Sequence, residues 1–476
     1  MPVRPFRNGT ALWIGEYAGH VYDYSNVNIE IEDARTFLSR TDEQFDLIQA
    51  SLIDTWAASS SGAYSLSESG LYTREAFLTY FDRLTPRGMV SYSRWYFIAD
   101  PTETLRMVTL GLDSWRQAGI ENPTEHIVVI ANFTQNRSAD QGLATMLLKK
   151  TPFTPDEVAR LAQFSQGMDF TMLYAPGYEI PIANPVHTLI TAPDLETAVT
   201  NYPLDISVPT DDRPFFFNFA GYNDLGASEF AANPSYRSSA EANYALLSVL
   251  GISVLFAALF IIGPVTSSQR SILLLSRNWS YLLYFAALGI GFMMVMVPSI
   301  QRLTIYLGSP TYALAVVLFT ILFSSGIGSL TTHRVTADGV LPRLSRVILG
   351  LLLVIALHLP IIPLIVQWTQ AWIFPIRVIV VIAFIFPAGF LMGQPFPLGM
   401  KWVSSQNAAI IPWLWAINGA ASVIGSASAT VLGLATGFRV VSIGGLFCYG
   451  LALALATLVW LPRRRRVGVS AIAAGD

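Results

Sequence analysis

Two aspartates in the first sixty residues have surroundings that suit carboxylate chemistry. Asp54 is followed by Thr55 and Trp56, so its carboxylate could hold an amine beside an aromatic wall. The competing assignment is a loop aspartate that caps a local turn. Asp33 precedes Ala34-Arg35-Thr36-Phe37-Leu38, and it either contacts a ligand or caps the short helix those residues predict. Ser59-Ser60-Ser61-Gly62, with Glu68 beyond it, is a lid over such a site or a plain surface loop. In the second half, Gln394, Lys401 and Asn418 stand near interrupted apolar runs. Polar groups in that setting line a substrate path or bond one helix to the next. Asp211-Asp212-Arg213-Pro214 reads as a local ion pair and turn that docks the first half, with Phe215, Phe216 and Phe217 near the membrane surface. Arg302 falls at a predicted helix end, where arginine snorkels to headgroups. Cys448 is the only cysteine, and the five histidines show no ligand-like spacing, so no disulfide and no metal site are predicted.

The elements that must position these residues divide into two kinds. The 476 residues are 53% hydrophobic and only 13% charged, with a mean hydropathy of +0.47. Acidic residues are spread through the first 241 positions; after Glu241 only Asp338 and Asp476 follow. An ionised carboxylate in hydrocarbon costs several kcal/mol or more, so this division points to a bilayer. The net charge of −3 argues against a nucleic-acid partner.

A transmembrane helix needs roughly 20 mostly apolar residues. Seven stretches qualify, at about 244–265, 279–298, 311–330, 347–366, 378–393, 411–434 and 441–461. The fifth is interrupted by Pro387 and by the run from Gly393 to Pro397, so it should face the bundle interior. Gly419, Gly425 and neighbouring Ala and Ser residues permit close packing of the sixth. Arg463 to Arg466 put the C-terminus in the cytoplasm, and the loops with Lys401, Arg334, Arg343, Arg346, Arg270 and Arg277 fall on the same side. That count places the first half outside the cytoplasm. Met1 to Thr10 carries no apolar export signal, so either further helices precede the chain or the count differs by one.

Strand-like and helix-like segments alternate in the first half, which predicts an α/β layer fold. Val27, Ile29 and Ile31 alternate with polar residues as in a half-buried strand, and 45–50 predicts a buried strand entering a long loop. Residues 73–84 predict a helix with Phe77, Tyr80, Phe81 and Leu84 on one face. Pro86-Arg87-Gly88 predicts a turn before a strand over 89–95, with further strands at 126–132 and 170–174. Thr154-Pro155-Asp156-Glu157 has the form of a capping box.

Several stretches resemble spermidine synthases, and more closely their membrane-embedded bacterial relatives. They are FDLIQASLIDTW (45–56), LYTREAF (71–77), EDARTFL (32–38), TDDRPFFF (210–217), IQR (300–302) with GSPTY (308–312), GQPFPLG (393–399) and WAING (415–419). The likeness runs from about Glu16 onward and is specific in combination. It implies a partial methyltransferase-like Rossmann domain over 1–225, an all-α transmembrane bundle over 242–462, and a basic cytoplasmic tail over 463–476. It also implies a multi-pass protein of a bacterial inner membrane, with a polyamine or nucleotide ligand and decarboxylated S-adenosylmethionine as co-substrate for aminopropyl transfer.

The family places two aspartates three apart after the strand that here ends at Ala50; the second falls on Asp54, while Ser51 holds the place of the first. Asp54 would orient the amine and help remove its proton, and the family's nucleotide-contacting acid falls on Asp33. A serine cannot act as an anionic base. The glycine-rich first turn that binds the nucleotide in this fold should precede about residue 16, and Gly15 and Gly19 do not supply it. A three- or four-strand sheet with one open edge follows, to be covered by another chain or by the bundle. The alternative is a catalytically inactive domain attached to a membrane transporter or scaffold. A reporter fused after Arg466 is expected to behave as cytoplasmic; a periplasmic signal would overturn the loop count.

Overall fold

Period-2 and period-3.6 apolar patterns in the first half fold into one mixed sheet with helices against it. A computed structural model describes residues 19–20, 23–53, 63–133, 141–226, 234–266 and 269–460. In chain order the first half contains α1 (Ala34–Arg40), β1 (Phe45–Ser51), α2 (Arg74–Arg83), β2 (Leu84–Phe97), α3 (Thr102–Gln117), β3 (Ile127–Asn132), β4 (Gln141–Lys149), α4 (Pro155–Gly167), β5 (Thr171–Tyr174), α5 (Pro185–Ile190) and α6 (Leu195–Thr200).

The sheet order is β1-β2-β4-β3-β5, with β1 parallel to β2 and the other pairs antiparallel. The core beneath it is aromatic and fully enclosed: Phe77 and Tyr80 of α2 and Trp115 of α3 pack with Tyr92, Met146 and Leu148 of the sheet. The Trp115 indole N–H donates to the Lys149 carbonyl at 2.8 Å, which satisfies the one polar atom that ring buries. The capping box expected at Thr154 is formed, with reciprocal bonds between Thr154 and Glu157.

Three expectations need correction. Pro86-Arg87-Gly88 is no turn: β2 runs through it, and the register against β1 slips between Phe45 and Leu47. Gly88 is needed there because a Cβ would lie 2.6 Å from the Phe45 carbonyl oxygen. Val27, Ile29 and Ile31 are extended but pair with no described strand, and Ile29 and Ile31 are exposed. Among the described residues the sheet has five strands, not three or four, because β4 pairs along its whole length with β2. The open edge is present as expected. Among the described residues nothing pairs with the outer side of β1, whose Leu47 is half exposed.

The second half is helical: α7 (Pro234–Thr266), α8 (Gln269–Arg277), α9 (Trp279–Leu307), α10 (Pro310–Thr331), α11 (Val340–Thr369), α12 (Phe374–Met392), α13 (Pro395–Gln406), α14 (Ile411–Thr436) and α15 (Phe438–Ala454), which ends in a π-helical turn, Leu455–Trp460. Seven of its segments are long and apolar enough to cross a membrane, α12 and α13 together forming one of them. The chain is therefore a multi-pass membrane protein with an α/β portion ahead of its bundle. Glycine sets the closest approach inside the bundle: a Cβ on Gly328 of α10 would overlap the Phe390 carbonyl of α12, and one on Gly393 would overlap Ser325.

Candidate functional site

At the carboxyl ends of the parallel pair β1 and β2, hydroxyl groups form a row across the sheet. The Ser51 Oγ donates to the Ser93 Oγ at 3.2 Å, and Ser93 shares a 2.8 Å bond with Thr145. Leu52, the next residue, has φ +48, a left-handed value rare for a branched side chain, so the chain leaves the strand abruptly. Open α/β sheets bind ligands at this end of their strands. Asp54 lies just beyond, outside the described residues. Asp33 caps α1: its Oδ1 accepts from the Thr36 N–H at 2.9 Å. Its Cβ packs against Gly308 at the end of α9, so this end of the α/β portion faces the bundle. The end of β2 is filled by a buried ion pair, Arg94 with Glu103, over which Tyr72, Phe216 and Phe217 pack.

The segment from Thr210 to Phe217 joins the two halves. Asp211 accepts a bidentate pair of 2.6 Å bonds from Arg35 and a 2.7 Å bond from Thr73, and its own N–H donates to Glu75 at 2.9 Å. Asp212 accepts from the Arg439 N–H, at the start of α15, at 3.0 Å and lies 3.4 Å from the Arg302 guanidinium. Arg213 donates to Asp205 at 2.7 Å and to the Leu434 carbonyl at 2.9 Å. Behind it, Arg106 donates to the carbonyls of Phe215, Phe216 and Asn218. The segment docks the domain as expected; Arg213–Asp205 is a local ion pair, while those of Asp211 and Asp212 reach Arg35 and Arg302 far along the chain. Arg302 does not snorkel either: its side chain is 9% exposed, inside α9.

Electrostatics follow from this packing. Burial opposes ionisation of Asp205, yet Arg106 and Arg213 outweigh it and hold the carboxyl well below its ordinary range. Glu75 and Asp212 shift upward, chiefly through burial, with the charge of Asp211 adding to both. Glu68 is pushed up to about 8 by burial. Its neighbours are fixed at the same junction: the Ser69 N–H donates to the Pro214 carbonyl at 2.8 Å, and Gly70 lies against Ile305 of α9.

The three polar residues singled out in the bundle are engaged at separate helix junctions. Gln394 is fully buried at the break between α12 and α13 and accepts from Arg343 at 3.0 Å. Lys401 donates to the carbonyls of Thr332, His333 and Val335, so its charge sits at the C-terminal end of α10. Asn418 donates to the Phe285 carbonyl at 2.9 Å, tying α14 to α9. Sequence reasoning missed that Arg302 and Arg377 are held inside helices with little exposure. The cost of a cation within an apolar stretch was the available signal. Among the described residues no three His, Cys, Asp or Glu side chains converge on a metal position.

No protein-family model, curated protein or solved structure matches this chain.

Because Glu68 holds a proton in the folded state up to about pH 8 and releases it near its ordinary 4.5 when unfolded, its contribution to stability is present below about pH 4.5 and lost as pH rises through 8. Glu68→Gln is expected to flatten the fall in Tm between those values; an unchanged slope would remove Glu68 as its source.

Proposed function

We propose that this chain is a membrane-anchored, spermidine-synthase-like binding protein whose α/β portion holds a polyamine or nucleotide without transferring an aminopropyl group. The observation that carries this reading is the Ser51 hydroxyl, bonded into a row with Ser93 where the family has an acid. A serine in that row offers no second anionic group, which leaves Asp54 alone both to hold the amine and to take its proton. Binding asks for less. Asp54, two residues after Leu52 in the sequence, would orient a primary amine. Asp33 uses Oδ1 for its cap, which leaves Oδ2 to accept from a nucleotide amine. The aromatic-lined ion pair of Arg94 and Glu103 packs the end of β2, the strand beside β1.

Spermidine binding measured by calorimetry in detergent is expected to weaken roughly tenfold or more in Asp54→Asn, the loss of a charge-assisted hydrogen bond. Decarboxylated S-adenosylmethionine with putrescine is expected to yield no product in either form. Equal affinity in both forms would remove Asp54 from the site, and turnover would show the chain to be an active transferase.

A further inference from the structure

Cations gather at the end of the bundle away from the α/β portion, which meets the other end through Gly308 after α9 and the start of α15. Arg277, Arg334, Arg343, Arg346 and Lys401 lie there, on α8, α11, α13 and the loop after α10. Against them the sequence sets one acid, Asp338, between Glu241 and Asp476. Lys401 is taken up by the carbonyls at the end of α10. Arg343 and Arg346 are not matched in that way. They stand three apart in the first two turns of α11, on neighbouring positions of its surface. Their polar partners among the described residues are both neutral. The Gln394 amide oxygen accepts from Arg343 at 3.0 Å, and the Pro342 carbonyl accepts from Arg346 at 3.2 Å. The Nε of Arg343 is buried without a partner.

The depth of this pair follows from the rest of α11. Leu349, Leu353, Leu357 and Leu364 are all exposed and fall on the side of the helix that carries Arg346. The stripe ends at Trp368, which is exposed as well. Arg346 and Trp368 are 22 residues apart, about 33 Å at 1.5 Å per residue, against a hydrocarbon core of about 30 Å. Tryptophan marks one membrane interface, so the arginines stand at headgroup depth on the other, directly above a lipid-facing apolar track. Gly350 lies one turn below Arg346 and two below Arg343. A Cβ there would meet only Leu391 of α12, at 3.8 Å, so the missing side chain leaves a shallow hollow between the two helices.

We propose that Arg343 and Arg346 hold the phosphate of an anionic phospholipid whose acyl chains lie along Leu349, Leu353 and the hollow at Gly350. Guanidinium groups match phosphate oxygens in charge and in geometry. A zwitterionic lipid brings its own cation to the pair, whereas an anionic one leaves its negative charge for the arginines. The apolar track selects a lipid over a free phosphate, because the chains bury area that a soluble headgroup lacks. This site is independent of the proposed ligand position at β1.

The test is thermal unfolding of the full chain in detergent micelles doped with dioleoyl phosphatidylglycerol, dioleoyl phosphatidylcholine or soluble glycerol 3-phosphate. Phosphatidylglycerol is expected to raise Tm saturably by about 2 °C or more, phosphatidylcholine by less than half as much, and glycerol 3-phosphate not at all. Arg343→Gln with Arg346→Gln is expected to lose the excess of phosphatidylglycerol over phosphatidylcholine. Arg87→Gln with Arg160→Gln, the same charge change at exposed positions of the α/β portion, is expected to keep it. If the first double variant does not fold, Arg346→Gln alone takes its place and should lose at least half of the excess. The proposal is overturned if the two lipids act alike on wild type, or if glycerol 3-phosphate matches phosphatidylglycerol. It is equally overturned if the Arg343 and Arg346 variant keeps the full excess, or if both double variants lose it alike.

Discussion

A guanidinium that is 4% exposed must be met by an anion, and the placement of Arg35 imposes that condition on the rest of the fold. Its partner, Asp211, lies 176 residues away. Holding it there requires the whole α/β portion to close between α1 and the segment before α7. The bidentate geometry fixes the direction of that segment as well as its position. Once Asp211 is set, its neighbours have little choice. Asp212 points at α9 and α15, and Arg213 reaches Asp205 and the end of α14. Three consecutive charged residues thus face three different parts of the molecule.

Aromatic packing turns this contact into a rigid joint. Phe215 lies against Phe438 of α15, while Phe216 stacks on Tyr72 at 4.7 Å between ring centroids. Arg106, wholly buried, ties down the carbonyls of the same turn. Side chains of that size bury a large apolar area and order the joint. Polar specificity from the aspartates and apolar area from the phenylalanines therefore act on one short stretch. One result is that the carboxyl ends of β1 and β2 face the membrane portion, with Asp33 against Gly308.

Much of this was legible in the residues, and the failures share a cause. The apolar spans, the capping box at Thr154 and the helix carrying Phe77 and Tyr80 are local patterns, and local patterns survive folding. The run from Thr210 to Phe217 was recognisable as a docking element. Its partners were not, because Arg35, Arg302 and Arg439 are separated from it by long stretches of chain and nothing in the intervening spacing names them. β4 was invisible for a related reason: its place depends on pairing with β2 and β3, not on its own alternation. Val27, Ile29 and Ile31 have the right alternation for a strand, yet alternation without a described neighbour leaves an extended segment. At the proposed ligand position the sequence located the end of β1 and Ser51. The row joining Ser51 to Ser93 and Thr145 needed the register of three strands.

The central claim is that the Arg35–Asp211 pair holds the α/β portion on its membrane half. A double-mutant cycle with Arg35→Met and Asp211→Asn, read as apparent unfolding free energy in detergent, addresses it directly. Either single change should cost about 3–5 kcal/mol, the figure for breaking a buried pair, and the double change should cost clearly less than the two together. Single changes below about 0.5 kcal/mol that simply add would assign the joint to the aromatic contacts alone.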